Sequence, residues 1–185
     1  MYSIYSYWYW NNFYSIEEIN TLHNLFHQYE NKQFVDEPAE NSTKMVNLKS
    51  AFWKHFRDKL WTIEQSFLKV NQEYFGYNIW PQFDGNSLLL NEYDSKQKGE
   101  YDWHTDGSKN HNFDVKFTML INASKEPYEG GKFYLWNNSG PEHVKELDNP
   151  GNVIVFKSYM PHKVEPVTKG KRHSITLFYG GPRFI

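Results

Sequence analysis

Two imidazoles and a carboxylate are the residues with the most chemistry to offer. His104-Thr105-Asp106 lies in the segment EYDWHTDGS, and His162 follows in YMPHKV. Alternate residues of an extended strand point the same way, so side chains two apart can share one ion. The pair alone carries little weight, because a chain with eight histidines and 22 acidic residues supplies such pairs by chance. Arg172 changes that. Thr168-Lys169-Gly170-Lys171 is a turn signal and Arg172 opens the last β-rich run, ten positions after His162. A hairpin folding at Gly170 would return Arg172 beside His162. Two histidines and one carboxylate occupy one face of a non-haem iron and leave three positions open for a bidentate ligand and O2. A buried arginine next to them can pair with the far carboxylate of a diacid through its planar fork.

Composition narrows the alternatives. There is no cysteine, which excludes disulfides and thiolate-held zinc or iron–sulfur clusters, so a metal must be held by His, Asp or Glu. A formal net charge of -2 gives no electrostatic reason to expect a nucleic acid or an anionic membrane as partner. The N-terminal MYSIYSYWYWNNFYS is aromatic but lacks the basic, aliphatic and small-residue parts of a signal peptide, and no apolar run reaches membrane-spanning length. The expectation is a cytoplasmic protein. Its 185 residues suit one domain, 1–185.

Residues 1–76 read as mostly helical support. Ser15 and Glu18 form a capping box ahead of Ile16, Ile19, Leu22 and Phe26, which predicts a helix to about Tyr29. Asn31 to Asn47 is polar, contains Pro38, and is expected to be a loop. Phe52, Phe56, Leu60, Ile63, Phe67, Val70 and Tyr74 then predict one apolar face of a second helix ended by Gly76. Beyond it the runs 87–93, 115–122, 133–136, 153–157, 163–167 and 172–179 are short, β-rich and separated by Gly, Pro and Asn. The fold class expected is mainly β with flanking α-helices: a double-stranded β-helix, or cupin-like jelly roll, over 77–185, braced by the N-terminal helices.

The last run sets Arg172, Ser174, Thr176 and Phe178 on one face and His173, Ile175, Leu177 and Tyr179 on the other. The mixed face can meet solvent or line a polar cavity, and periodicity does not choose between them. Ser174 and Thr176 could equally be plain β-formers, and Trp103 and Tyr101 either core or site wall. His173 is expected under a helix. His23, His27, His55, His111 and His143 have no carboxylate at strand spacing and receive no role.

The segments YDWHTDGS, YEGGKFYLW and GNVIVFKSYMPHKVEPVTKGKRHSITLFYG, in this order and spacing, resemble the prolyl/lysyl-hydroxylase branch of the Fe(II)/2-oxoglutarate dioxygenases. The similarity runs from about Ile79 to the C-terminus. It implies that His104, Asp106 and His162 ligate Fe(II) and that Arg172 binds the C5 carboxylate of 2-oxoglutarate. Ser174 would add a hydroxyl to that carboxylate, Thr176 would continue the face toward the metal, and Tyr93 or Tyr101 would hydrogen-bond the co-substrate. Relatives place a tyrosine where this chain has Leu120, so either Ser174 or Thr118 stands in for it or the anchoring rests mainly on Arg172. The implied reaction consumes O2, releases succinate and CO2, and can draw on ascorbate as reductant. An aspartate at position 106 implies hydroxylation rather than halogenation.

The resemblance favours a prolyl residue of a peptide or protein as substrate. Other residues or small amino acids use the same core; a nucleic-acid dealkylase is disfavoured by charge and by the ten-residue gap. A redox-inactive cupin-like metal-binding module is the alternative from another class, and it would leave Arg172 without a purpose. Trp8, Trp10, Trp103 and Trp136 could form one substrate groove, and residues 77–86 a mobile loop near the site.

Overall fold

The computed structural model of the chain describes residues 5–34, 42–107 and 112–183. In chain order the elements are β1 (Tyr7–Trp10), α1 (Ile16–Gln28), β2 (Lys44–Met45), β3 (Asn47–Phe52), α2 (Arg57–Val70), β4 (Ser87–Asp94) and β5 (Glu100–His104). They continue with β6 (Asp114–Asn122), β7 (Glu129–Gly130), β8 (Phe133–Asn137), β9 (Gly140–His143), β10 (Val153–Lys157), β11 (His162–Val164), β12 (Val167–Lys169) and β13 (Lys171–Gly181).

The first helix starts where the capping box places it. Ser15 Oγ accepts from the Glu18 N–H and the Glu18 carboxylate accepts from the Ser15 N–H. Ile19, Leu22 and Phe26 are buried, while Ile16 in the first turn stays exposed. The second helix is shorter than its apolar spacing suggests. Phe52 belongs to β3, which satisfies the backbone of β4 from Asn47↔Glu92 to Phe52↔Ser87. A 3-10 turn, Trp53–His55, separates it from α2. Leu60, Ile63, Phe67 and Val70 are buried as the spacing predicts. Tyr74 is not, because a π-helical turn over Asn71–Phe75 shifts the phase and buries Phe75 instead. Gly76 closes it at φ +71°. Within the expected loop, Lys44–Met45 form a short strand and Pro38 lies outside the described residues.

Two antiparallel sheets carry the core. One has the order β1-β10-β6-β13-β4-β3, the other β2-β5-β11-β8-β9, and β7 and β12 pair separately. One face of the six-stranded sheet packs Leu90, Met119, Ile121, Val155, Ile175, Leu177 and Tyr179 against α1 and α2. Its opposite face packs Tyr93, Leu120, Ile154 and Phe156 against Phe133, Leu135 and Val164 of the five-stranded sheet. The fold is a β-sheet core with flanking helices.

This layering decides what periodicity left open. The apolar face of β13 lies under the helices, and His173 meets His23 of α1 there, ring centroids 4.9 Å apart. Arg172, Ser174 and Thr176 face the other sheet and are buried. The expected hairpin does not form as a ladder: β11 lies in the five-stranded sheet and β13 in the six-stranded one. The run 163–167 is split between β11 and β12, and β12 pairs with β7. Gly170, at φ +71°, still makes the turn, but it carries the chain from β12 of the two-stranded pair to β13 of the six-stranded sheet.

Candidate active site

His104 ends β5 directly opposite His162, the first residue of β11. The next pair is Val164↔Tyr101, so β5 spends one residue more than β11 over the same span. Such a bulge re-aims side chains. It turns Tyr101 and His104, three apart, to one side, where their rings stack at 3.4 Å and 12°. The bulge places Tyr101 against His104, which period-two reasoning could not anticipate. Asp106 is not on the strand, contrary to the alternation argument; it follows the end of β5. Its backbone N–H donates to Ser158 O at 2.9 Å, and Thr118 Oγ1 donates to its Oδ2 at 2.6 Å.

Both histidines offer the same nitrogen inward. His104 Nδ1 lies 2.7 Å from Asp102 O and His162 Nδ1 3.0 Å from Met160 O. A carbonyl only accepts, so each Nδ1 carries the proton and each Nε2 presents a lone pair. His104 Nε2 is 3.8 Å from Asp106 Oδ1 and His162 Nε2 is 3.3 Å from Oδ2. The three ligand atoms lie within 4.8 Å of one another, and among the described residues this is the one such His/Asp/Glu group. Burial, reinforced by His162, pushes His104 down to about 4. Burial also opposes charge on His162 and Asp106, but their mutual attraction outweighs it, raising His162 and lowering Asp106. The donor set fits a divalent metal on one face.

Arg172 is 1% exposed. Its guanidinium carbon sits 5.2 Å from the Tyr93 ring centroid, and Nη1 reaches Ser174 Oγ at 3.5 Å. Nη2 is buried with no hydrogen-bond partner, and no carboxylate among the described residues pairs with the guanidinium. A buried charge in that condition is costly, and an anionic ligand is what would relieve it. Tyr93 is buried and its phenol is pushed up to about 12, chiefly by burial, with the Arg172 charge lowering it and Tyr101 and Asp106 raising it. Thr176 accepts a hydrogen bond from Asn91 Nδ2 at 2.9 Å. Leu120 packs in the core between the sheets and supplies no hydroxyl. Thr118 is committed to Asp106, so of the two expected stand-ins only Ser174 lies beside Arg172.

Trp103 and Trp136 meet edge-on at 5.3 Å with Lys163 Nζ 5.3 Å from the Trp103 centroid. Trp8 stacks on Tyr74 and packs with Trp10 on the helix-side core, so the four tryptophans do not form one groove. The segment 77–86 is tied down by Trp80 N–H to Gly180 O, Gln82 N–H to Glu64 Oε1 and Gln82 Nε2 to Phe178 O. His143 does pair with a carboxylate, Asp148, at 2.9 Å, though away from strand spacing. His55 stacks on Tyr29, and His111 lies outside the described residues. Ser158 and Asn91 were not singled out by sequence reasoning; nothing in their neighbourhood distinguishes a hydroxyl or amide that serves another side chain.

Residues 88–180 match the model of the 2OG-Fe(II) oxygenase superfamily. A PKHD-type hydroxylase of Gloeothece citriformis is 38% identical over 91 residues, 47% of this chain and 39% of that protein. One from Synechococcus is 34% identical over 91 residues, 48% of this chain and 39% of the other. The chain spans about two fifths of the length of these curated relatives. A Pseudomonas putida prolyl-4-hydroxylase structure superposes with a TM-score of 0.68 at 16% identity, covering 98% of this chain and 95% of its own. A Trichoplax adhaerens prolyl hydroxylase, solved with a hypoxia inducible factor peptide fragment, gives 0.66 at 20%, covering 94% and 83%. At these identities the structural likeness speaks for the fold alone. No helix among the described residues is long and apolar enough to cross a membrane.

Proposed function

Because the chain belongs to the 2OG-Fe(II) oxygenase superfamily, we propose that it is a hydroxylase acting on a prolyl residue of a peptide or protein, with 2-oxoglutarate and O2 as co-substrates. Its two sheets are then the halves of a double-stranded β-helix with the reaction between them. His104, Asp106 and His162 would hold Fe(II), and activation of O2 coupled to decarboxylation of 2-oxoglutarate is the chemistry the metal would supply. Arg172 takes the far carboxylate through Nη2 with Ser174 beside it, and Tyr93 flanks the same carboxylate. Phe133 and Phe156 pack their rings against His162.

The observation that carries this reading is the buried Arg172 Nη2 without a partner. A metal-binding module without a diacid co-substrate has no reason to bury that cation. The prolyl preference is supported by the names of the relatives and the fold they share. Anaerobic addition of Fe(II) and 2-oxoglutarate is expected to produce a visible absorption band, and aerobic incubation to form succinate. Arg172→Met should weaken 2-oxoglutarate binding by roughly two orders of magnitude, the scale of a charge-assisted bidentate pair. Unchanged affinity in that variant overturns the anchor. Mass spectrometry of proline-containing peptides after turnover tests the substrate, and added oxygen only on lysine, asparagine or a free amino acid overturns the prolyl assignment.

A further inference from the structure

We infer that Thr118, backed by Ser158, is the positioning residue that fixes Asp106 as a one-oxygen metal ligand. This rests on the iron reading above and concerns how the third ligand is set. His104 and His162 come from facing positions of the five-stranded sheet, but Asp106 lies beyond the strand that leads to it. What ties it down comes from the six-stranded side. Its N–H donates to Ser158 O, just past the end of β10, and Thr118 of β6 donates to Oδ2 at 2.6 Å. Thr118 is flanked on both sides, by Phe156 of β10 and Phe178 of β13.

The direction of the chain of hydrogen bonds follows from chemistry. Thr118 Oγ1 donates to Asp106 Oδ2, which uses the one hydrogen its hydroxyl has. Ser158 Oγ, 3.0 Å away, must therefore donate to Thr118. Both hydroxyls are buried, at 1% and 0% exposure, and Ser158 N–H is itself held by Lys116 O at 3.0 Å. A carboxylate free to rotate can offer a metal both oxygens and close a coordination position. With Oδ2 held, it offers one, and three positions stay open for a bidentate co-substrate and O2. Thr118 thus ties Asp106 to β6 of the six-stranded sheet, beside the two histidines of the five-stranded one.

The test uses the metal-free protein, Co(II) titration, and the anaerobic Fe(II)–2-oxoglutarate band. Thr118→Val keeps the shape and removes the hydroxyl. It is expected to weaken Co(II) binding by about 10- to 100-fold, the usual range for loss of a ligand's supporting hydrogen bond. The 2-oxoglutarate band should fall further, with the melting profile little changed. Thr118→Ser should restore both. Wild-type Co(II) affinity and an unchanged band in Thr118→Val overturn the inference. If that variant fails to fold, Ser158→Ala carries the test: severalfold weaker binding supports the relay and wild-type binding overturns it. Asp106→Ala distinguishes the underlying reading, since Co(II) binding unaffected by that change removes the metal site itself.

Discussion

At the scale of single residues, the two histidines of the ligand face differ in how they titrate. His104 is pushed down to about 4 by burial and by His162, whereas His162 is raised by the Asp106 carboxylate against the effect of its own burial. Metal needs both neutral. Protons therefore compete with metal at His162 from above the ordinary imidazole range downward, and at His104 only near its low value. Co(II) affinity of the metal-free protein should fall as pH drops from above the ordinary imidazole range, by about tenfold per pH unit, the slope of one displaced proton. Titrations at several pH values check this. A two-proton slope near pH 6 would contradict the asymmetry.

At the scale of elements, the approach of one strand pair to another positions Arg172. Gly131, in the segment YEGGKFYLW, has φ +62°, and a Cβ there would lie 2.9 Å from both Arg172 Cδ and Val167 Cγ2. The glycine lets the 127–132 segment press on the arginine stem and hold its fork in place. Gly131→Ala is expected to displace that stem, weakening 2-oxoglutarate binding at least severalfold, and to cost about 1 kcal/mol of stability through the left-handed backbone. Calorimetric titration with the co-substrate and a denaturant melt separate the two effects. A loss of stability with unchanged binding would show that the contact is only packing. The β5 bulge works similarly, since it is what puts Tyr101 flat against His104.

At the scale of the whole molecule, the helices are joined to the active sheet through a buried carboxylate. Glu64 of α2 is 1% exposed; its Oε1 accepts from Gln82 N–H, and its Oε2 has no partner. Burial raises its pKa, against the Gln82 hydrogen bond and the Arg57 charge. A raised folded-state pKa favours the protonated form, so the contribution to stability is full below the ordinary carboxylate pKa and is lost as pH rises through the folded value. Above its folded-state pKa the wild type thus carries an ionised, half-satisfied group in its core. Glu64→Gln retains the acceptor for Gln82 and removes the charge. Its melting temperature should exceed that of wild type at pH 8, with the gap closing toward pH 4. A lower melting temperature at pH 8 would mean that the negative charge itself is needed there.

The chain alone determined the local matters: the capped start of α1, the apolar spacing of α2, the strand content after Gly76, and a His-x-Asp, His and Arg set that could serve one metal and one diacid. These follow from short-range sterics and from side-chain chemistry, which neighbours in sequence already express. The tertiary structure decided the rest. That Phe52 forms strand and not helix depends on the unpaired edge of β4. That Tyr101 joins the site depends on a bulge against β11. That Arg172 arrives from the opposite sheet, and not along a hairpin, depends on which strands find each other across the core. Asp106, too, owes its place to Thr118 and Ser158, 12 and 52 positions further along the chain. Such pairings are long-range choices among partners of equal local fitness, and only packing of the two cores selects one of them.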